Sequence, residues 1–290
     1  MDIISALLIL LSASLASGRN VLMKSFSPFS FKRREFFLIQ AAIFGAGGIA
    51  LFFVNLFSYN GISLFTFLIA LVYGIVLLCA QWCYTIALTM GKTAICVTIY
   101  SFGFLIPTLS GAIFWQEEIT VCGYLGIGLI IPVLIISGMG KKSSNNKSAS
   151  SSYLIPLILA LICSGGLGVV QKIQQKSIYQ NQTNSFILIA FLFCFTVCLI
   201  FFAFMKKGEN KLSRKNIISA SSIGIFFSIC NLLNTFLAGM LDSSIFFPTL
   251  NIAGILISAL LGFLIYKEKI TKRDLVVLLL SVTAIILVNF

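Results

Sequence analysis

Long apolar runs, separated by short polar or charged turns, occupy nearly the whole chain. The runs show no period-two alternation and are twice as long as a barrel strand, so strands are not expected. The hydrocarbon core of a bilayer is about 30 Å thick, and a helix that crosses it needs about 20 apolar residues. Ten segments fit that measure: Ile3–Met23, Phe36–Phe57, Ile62–Leu88, Ala94–Trp115, Val121–Gly138, Tyr153–Gln171, Ser185–Met205, Ile217–Leu237, Ser244–Tyr266 and Leu275–Phe290. Only helices and closed barrels satisfy their backbone groups in lipid. The pattern therefore predicts an all-α membrane protein of ten transmembrane helices. One hydrophilic stretch, Lys141–Ser152, reads as a flexible linker between a unit at 1–140 and another at 153–290.

The two units repeat one another. Thr98–Thr120 reappears without a gap as Thr249–Thr271. Gly103/Gly254, Leu109/Leu260, Gly111/Gly262, Glu117/Glu268 and Thr120/Thr271 coincide. The third and eighth segments also match, with Gln81 over Asn231, Tyr84 over Asn234 and Thr85 over Thr235. Five helices per unit is an odd number, so the second copy is expected to run upside down through the membrane. Two inverted five-helix repeats form the arrangement in which a central site opens alternately to either side.

Composition agrees with burial in lipid. The chain is 59% hydrophobic and 10% charged, against about 25% charged for a soluble domain. The net charge of +12 is explained by its distribution, not by affinity for nucleic acid. Of the 20 Lys and Arg residues, only Lys172 and Lys176 fall to the even-numbered loops, and Arg19 lies inside the first segment. All the others fall to odd-numbered loops. Loops rich in Lys and Arg stay in the cytoplasm, so both termini are expected outside a multi-pass protein of the cell membrane. The opening segment lacks a basic leader and carries Asp2, and is read as an uncleaved first span. The repeated turn is acidic at Gln116–Thr120 and basic at Lys267–Arg273, as opposite faces of the membrane require.

Catalytic chemistry finds little support. There is no His, and the acids Glu35, Glu117, Glu118, Glu209, Asp242, Glu268 and Asp274 all lie near segment ends or in loops. Hydrolysis or acyl transfer needs a nucleophile beside a base. The eight cysteines lie within segments and read as small apolar filler, so neither metal nor cofactor is expected. Glu117 is expected to cap a helix start or to meet interfacial lysines.

Uncharged polar residues are more informative, because burying an amide without a partner costs several kcal/mol. Such groups face the bundle interior. Gln81 and Tyr84 share a helical face, as do Asn231 and Asn234. Thr98 and Tyr100 lie over Thr249 and Asn251, and Asn20 and Gln171 follow the matched Gly18 and Gly168. These ten residues are the candidate lining of a substrate cavity, and helix-to-helix hydrogen bonding is the alternative role for each. Trp82 is a further candidate for apolar contact. Arg19 and Lys172 either snorkel to an interface or turn inward; an inward Arg19 would favour an anionic substrate group.

The motifs around Pro107, Gly111 and Glu117–Thr120, and around Pro248–Asn251, Gly262 and Glu268–Thr271, resemble the drug/metabolite transporter superfamily, in particular its ten-helix members with paired EamA-type repeats. Leu241–Pro248 is similar to that family as well. The resemblance implies a secondary transporter of a small organic metabolite or drug-like compound, with membrane lipids as its surroundings and no nucleic-acid partner. Relatives are described with cytoplasmic termini; the charge bias of this chain points the other way. The alternatives are an integral membrane enzyme, or a channel or partner subunit acting on a lipophilic substrate.

Overall fold

The structure is a computed structural model that describes residues 3–24, 26, 33–91, 93–117, 120–138, 153–207, 212–266 and 272–289. Every regular element among them is helical: α1 (Ile3–Lys24), α2 (Arg34–Phe57), α3 (Leu64–Met90), α4 (Thr93–Ser101), α5 (Leu105–Trp115), α6 (Val121–Gly138), α7 (Leu154–Gln175), α8 (Thr183–Phe204), α9 (Arg214–Met240), α10 (Ser243–Tyr266) and α11 (Lys272–Asn289). Each of the ten expected segments falls on a helix, except that Ala94–Trp115 falls on two. Among the described residues seven stretches are long and apolar enough to cross a membrane: α1, α2, α3, α7, α8, α9 and the α4–α5 pair. The expected linker 141–152 and the basic turn at 267–271 lie outside the described residues.

The break between α4 and α5 is a tight 3-10 turn, Phe102–Phe104. Its cause is Pro107, whose ring leaves the Gly103 carbonyl without the usual partner four residues on. The Leu105 N–H takes up that carbonyl, together with that of Phe102. Gly103 also lets α7 come close, since a Cβ there would stand 2.7 Å from the Leu161 carbonyl oxygen.

Local signals recur in the two halves. Ser63 caps α3 by accepting from the Thr66 N–H at 3.1 Å, and Ser213 caps α9 by accepting from the Asn216 N–H at 3.3 Å. Both helices are 27 residues long and end at a Met. Thr85 donates to the Gln81 carbonyl and Thr235 to the Asn231 carbonyl, each at 2.7 Å. A cap of this kind is worth about 1 kcal/mol, and in lipid it also spares a buried helix end its orphan donors.

Packing follows the same duplication. α1 lies against α9 and α10, as α7 lies against α3 and the α4–α5 pair. α2 lies against α9, as α8 lies against α3. The pairs α2–α8, α4–α10 and α6–α11 join counterparts directly. At the α2–α9 crossing the backbones nearly touch: a Cβ on Gly224 would stand 2.0 Å from the Ile43 carbonyl oxygen. Beside it Phe44, Phe191 and Phe227 meet with ring centroids 5.5–6.1 Å apart. The outward faces carry exposed Phe52, Phe53, Leu68, Ile75 and Ile200, an apolar surface suited to lipid.

The turns gather at two ends. At one end the turn after α2 meets the turn after α7, where Asn60 Nδ2 donates to the Asn181 carbonyl at 3.0 Å and the Ser63 N–H to Gln182 Oε1 at 2.9 Å. At the other the Arg34 N–H donates to the Lys206 carbonyl at 3.0 Å, with the guanidinium 4.0 Å from the Phe202 ring centroid.

Candidate functional site

Between the halves lies a cavity of about 150 Å³. From the first half it is lined by α1, α3, α4, the 3-10 turn and α5; from the second, by α7, α9 and α10. These are three segments and their three counterparts. Among the described residues, none of the lining comes from α2, α6, α8 or α11.

Six of the sequence-predicted residues line the cavity: Asn20, Tyr100, Gln171, Asn231, Asn234 and Asn251. Four of these amides are tied to hydroxyls. Gln171 Nε2 donates to Tyr73 Oη at 2.9 Å, and Tyr73 Oη donates to Asn231 Oδ1 at 2.5 Å. Asn234 Oδ1 accepts from Ser12 Oγ at 2.7 Å. Asn20 Nδ2 reaches Ser258 Oγ at 3.4 Å, which donates to Ser17 Oγ at 3.0 Å. The side chains of Asn231 and Asn251 donate back to carbonyls four residues earlier, Phe227 and Phe247, which points their amide oxygens away from their own helices.

The other four stand apart from the cavity wall. Gln81 is buried behind it and accepts from Arg19 Nη2. Tyr84 is buried against Tyr100, with ring centroids 4.1 Å apart, and its hydroxyl has no hydrogen-bond partner among the described residues. The Thr98 hydroxyl is buried and likewise unpartnered. Thr249 donates to the Ile245 carbonyl of its own helix. Trp82 packs on Phe37 and Phe201 at 5.2 and 5.3 Å, remote from the lining.

Arg19 turns inward, which removes the snorkelling alternative. It is 6% exposed, lines the cavity, and lies with its guanidinium carbon 3.8 Å from the Phe227 ring centroid. Its helix, α1, packs against α9 and α10. Lys172, 1% exposed, also turns inward. It pairs with Glu117 and donates to Ser243 Oγ at 2.6 Å. Glu117 Oε2 accepts from the Ser243 N–H at 3.1 Å. Glu117 thus meets a lysine and caps a helix start, and the helix it caps is α10, not its own neighbour α6. Lys172 follows the lining residue Gln171 in the chain, and Ser243 lies one helical turn before the lining residue Phe247.

Tyr73 is the residue that the polar-pair pattern misses. It is fully buried and joins Gln171 of α7 to Asn231 of α9. Its counterpart position is Ile223, so nothing in the repeat marks it.

Residues 151–290 match the model of the EamA-like transporter family. No curated protein matches the chain. Among solved structures, one protein known by crystallography superposes with a TM-score of 0.64 over 99% of this chain and 96% of its own, at 17% identity. That likeness concerns the fold alone, and it spans both halves.

Proposed function

We propose that this chain, whose residues 151–290 match the model of the EamA-like transporter family, is a multi-pass membrane transporter of the drug/metabolite transporter superfamily that moves a small organic metabolite or drug-like compound across the cell membrane by alternating access. The observation that carries this reading is the cavity lined by α1, α3 and α4–α5 together with their counterparts α7, α9 and α10. A site built from both halves changes its outlet when one half rocks on the other. The paired packing and the repeated Ser caps support two inverted five-helix units, with α6, α10 and α11 as spans beside the seven long apolar stretches. The meeting of the turns after α2 and α7 at one end supports the alternation of spans.

In this reading Asn20, Tyr100, Gln171, Asn231, Asn234 and Asn251 contact the substrate. Gln81, Tyr84, Thr98 and Thr249 belong to the same polar set and act through the residues in front of them. The Lys172–Glu117–Ser243 group closes the end where, by the charge bias, both termini lie outside. Counterflow of a metabolite panel in proteoliposomes tests the reading. A solute found to exchange should lose its exchange, and its thermal stabilisation of the purified protein, in Asn231→Ala and Gln81→Ala. Normal exchange by both variants would overturn the cavity assignment. Tags on the two ends should both react from outside; one end reactive from each side would break the even span count.

A further inference from the structure

We infer that the cavity takes a small organic monoanion, a carboxylate on an apolar body, with Arg19 as the group that binds its charge. The inference rests on the transport reading only in treating this cavity as the substrate's place. A guanidinium cannot shed its proton in a protein, so Arg19 stays charged at membrane depth. It is 94% buried, the complement of its 6% exposure. Burying a charge of this kind costs several kcal/mol unless a counter-charge or good hydrogen bonds offset it.

What surrounds Arg19 meets that need only in part. Nη2 donates to Gln81 Oε1, and the Phe227 ring lies under the guanidinium plane, with Tyr84 5.7 Å away. Nε has no hydrogen-bond partner among the described residues. Among the described residues Arg19 has no carboxylate partner. Lys172, the other buried cation near the cavity, is already neutralised by Glu117. One positive charge therefore remains beside the cavity with part of its donor edge free.

The chemistry that fits is specific. Phe227 below and Gln81 beside hold the guanidinium plane still, which suits two-point binding of a planar carboxylate. A single uncompensated charge matches a monoanion; a phosphate dianion would bring one negative charge more than the site supplies. Phe104, Phe247 and Leu250 on the wall offer contact to an apolar body, and Asn234 and Asn251 offer hydrogen bonds to further polar groups. Gln81 is a positioning residue in this scheme, because it touches Arg19 from behind the wall.

The test uses purified full-length protein and matched probes. Straight-chain and aromatic monocarboxylates from acetate to phenylpropionate are paired with their primary amides, which share shape but not charge, and phenyl phosphate is added as a dianion. Binding is read by thermal stabilisation across concentration. At least one carboxylate should bind ten-fold or more tightly than its amide, and more tightly than phenyl phosphate. In Arg19→Gln that preference should vanish, while Arg19→Lys retains part of it, so loss of charge is separated from loss of fold. Equal binding of every carboxylate and its amide by the wild type overturns the inference. So does a preference that survives Arg19→Gln, or tighter binding of the phosphate. Counterflow of the bound carboxylate is read separately. Binding without exchange sinks the transport reading and leaves Arg19 its anion; exchange of neutral amides as readily as of acids does the reverse.

Discussion

Tyr73 holds three helices together with one oxygen. Its hydroxyl accepts from Gln171 and donates to Asn231, so α3, α7 and α9 share a single hydrogen-bonded node. Tyr73→Phe leaves both amides without that partner in a buried site, which should cost about 1–3 kcal/mol. Thermal unfolding in detergent measures the loss, and the same variant should weaken binding of any substrate that reaches Asn231. Residues of this kind also mark where the sequence stops being informative. Asn231, Asn234 and Asn251 announce themselves because each faces a polar residue or threonine across the repeat. Tyr73 and Arg19 lie over Ile223 and Val169 and have no such echo. The repeat exposes what the two halves hold in common, while the chemistry that selects a substrate resides where they differ. Depth along a helix is a second blind spot. Gln81 and Tyr84 share the expected face, yet they stand behind the cavity wall, because periodicity gives a direction and not a distance.

At the scale of the element, helix identity was readable from the apolar runs, whereas the Ser63 and Ser213 caps, the break before Pro107 and helix contact were not. Gly224 shows why. Its value lies in the Ile43 carbonyl of a helix more than a hundred positions away, and nothing local signals that approach. Gly224→Val should force α2 and α9 apart, with a loss of about 1–3 kcal/mol from overpacking. Gly128→Ala is the matched control: nothing stands within 4 Å of an added Cβ, so the change should be neutral or stabilising by about 0.5–1 kcal/mol. Parallel melting curves of the two variants check both statements. The break between α4 and α5 is the other lesson. Two copies of one segment differ here, since α10 carries its proline at Pro248 and runs unbroken, whereas Pro107 follows a 3-10 turn.

For the molecule as a whole, the buried ion pair is one of the contacts that join the halves near one end. Glu117 belongs to the first half, Lys172 and Ser243 to the second. Glu117→Gln strands a buried ammonium and should destabilise the protein by about 3–5 kcal/mol. The double change Glu117→Leu with Lys172→Met removes both charges and should recover most of the melting temperature. In proteoliposomes the double variant should nonetheless exchange substrate abnormally, because its halves part more easily at that end. Full recovery of both stability and exchange would show that the pair has no part in closing the cavity.

The helices that shape the cavity and those that do not are separate sets. α2 packs against α8 and α6 against α11, and among the described residues none of the four contributes to the wall. Such a plan uncouples cargo choice from assembly. A descendant of this chain can acquire a new diet through a handful of inward-facing changes on six segments, while its keel is inherited intact.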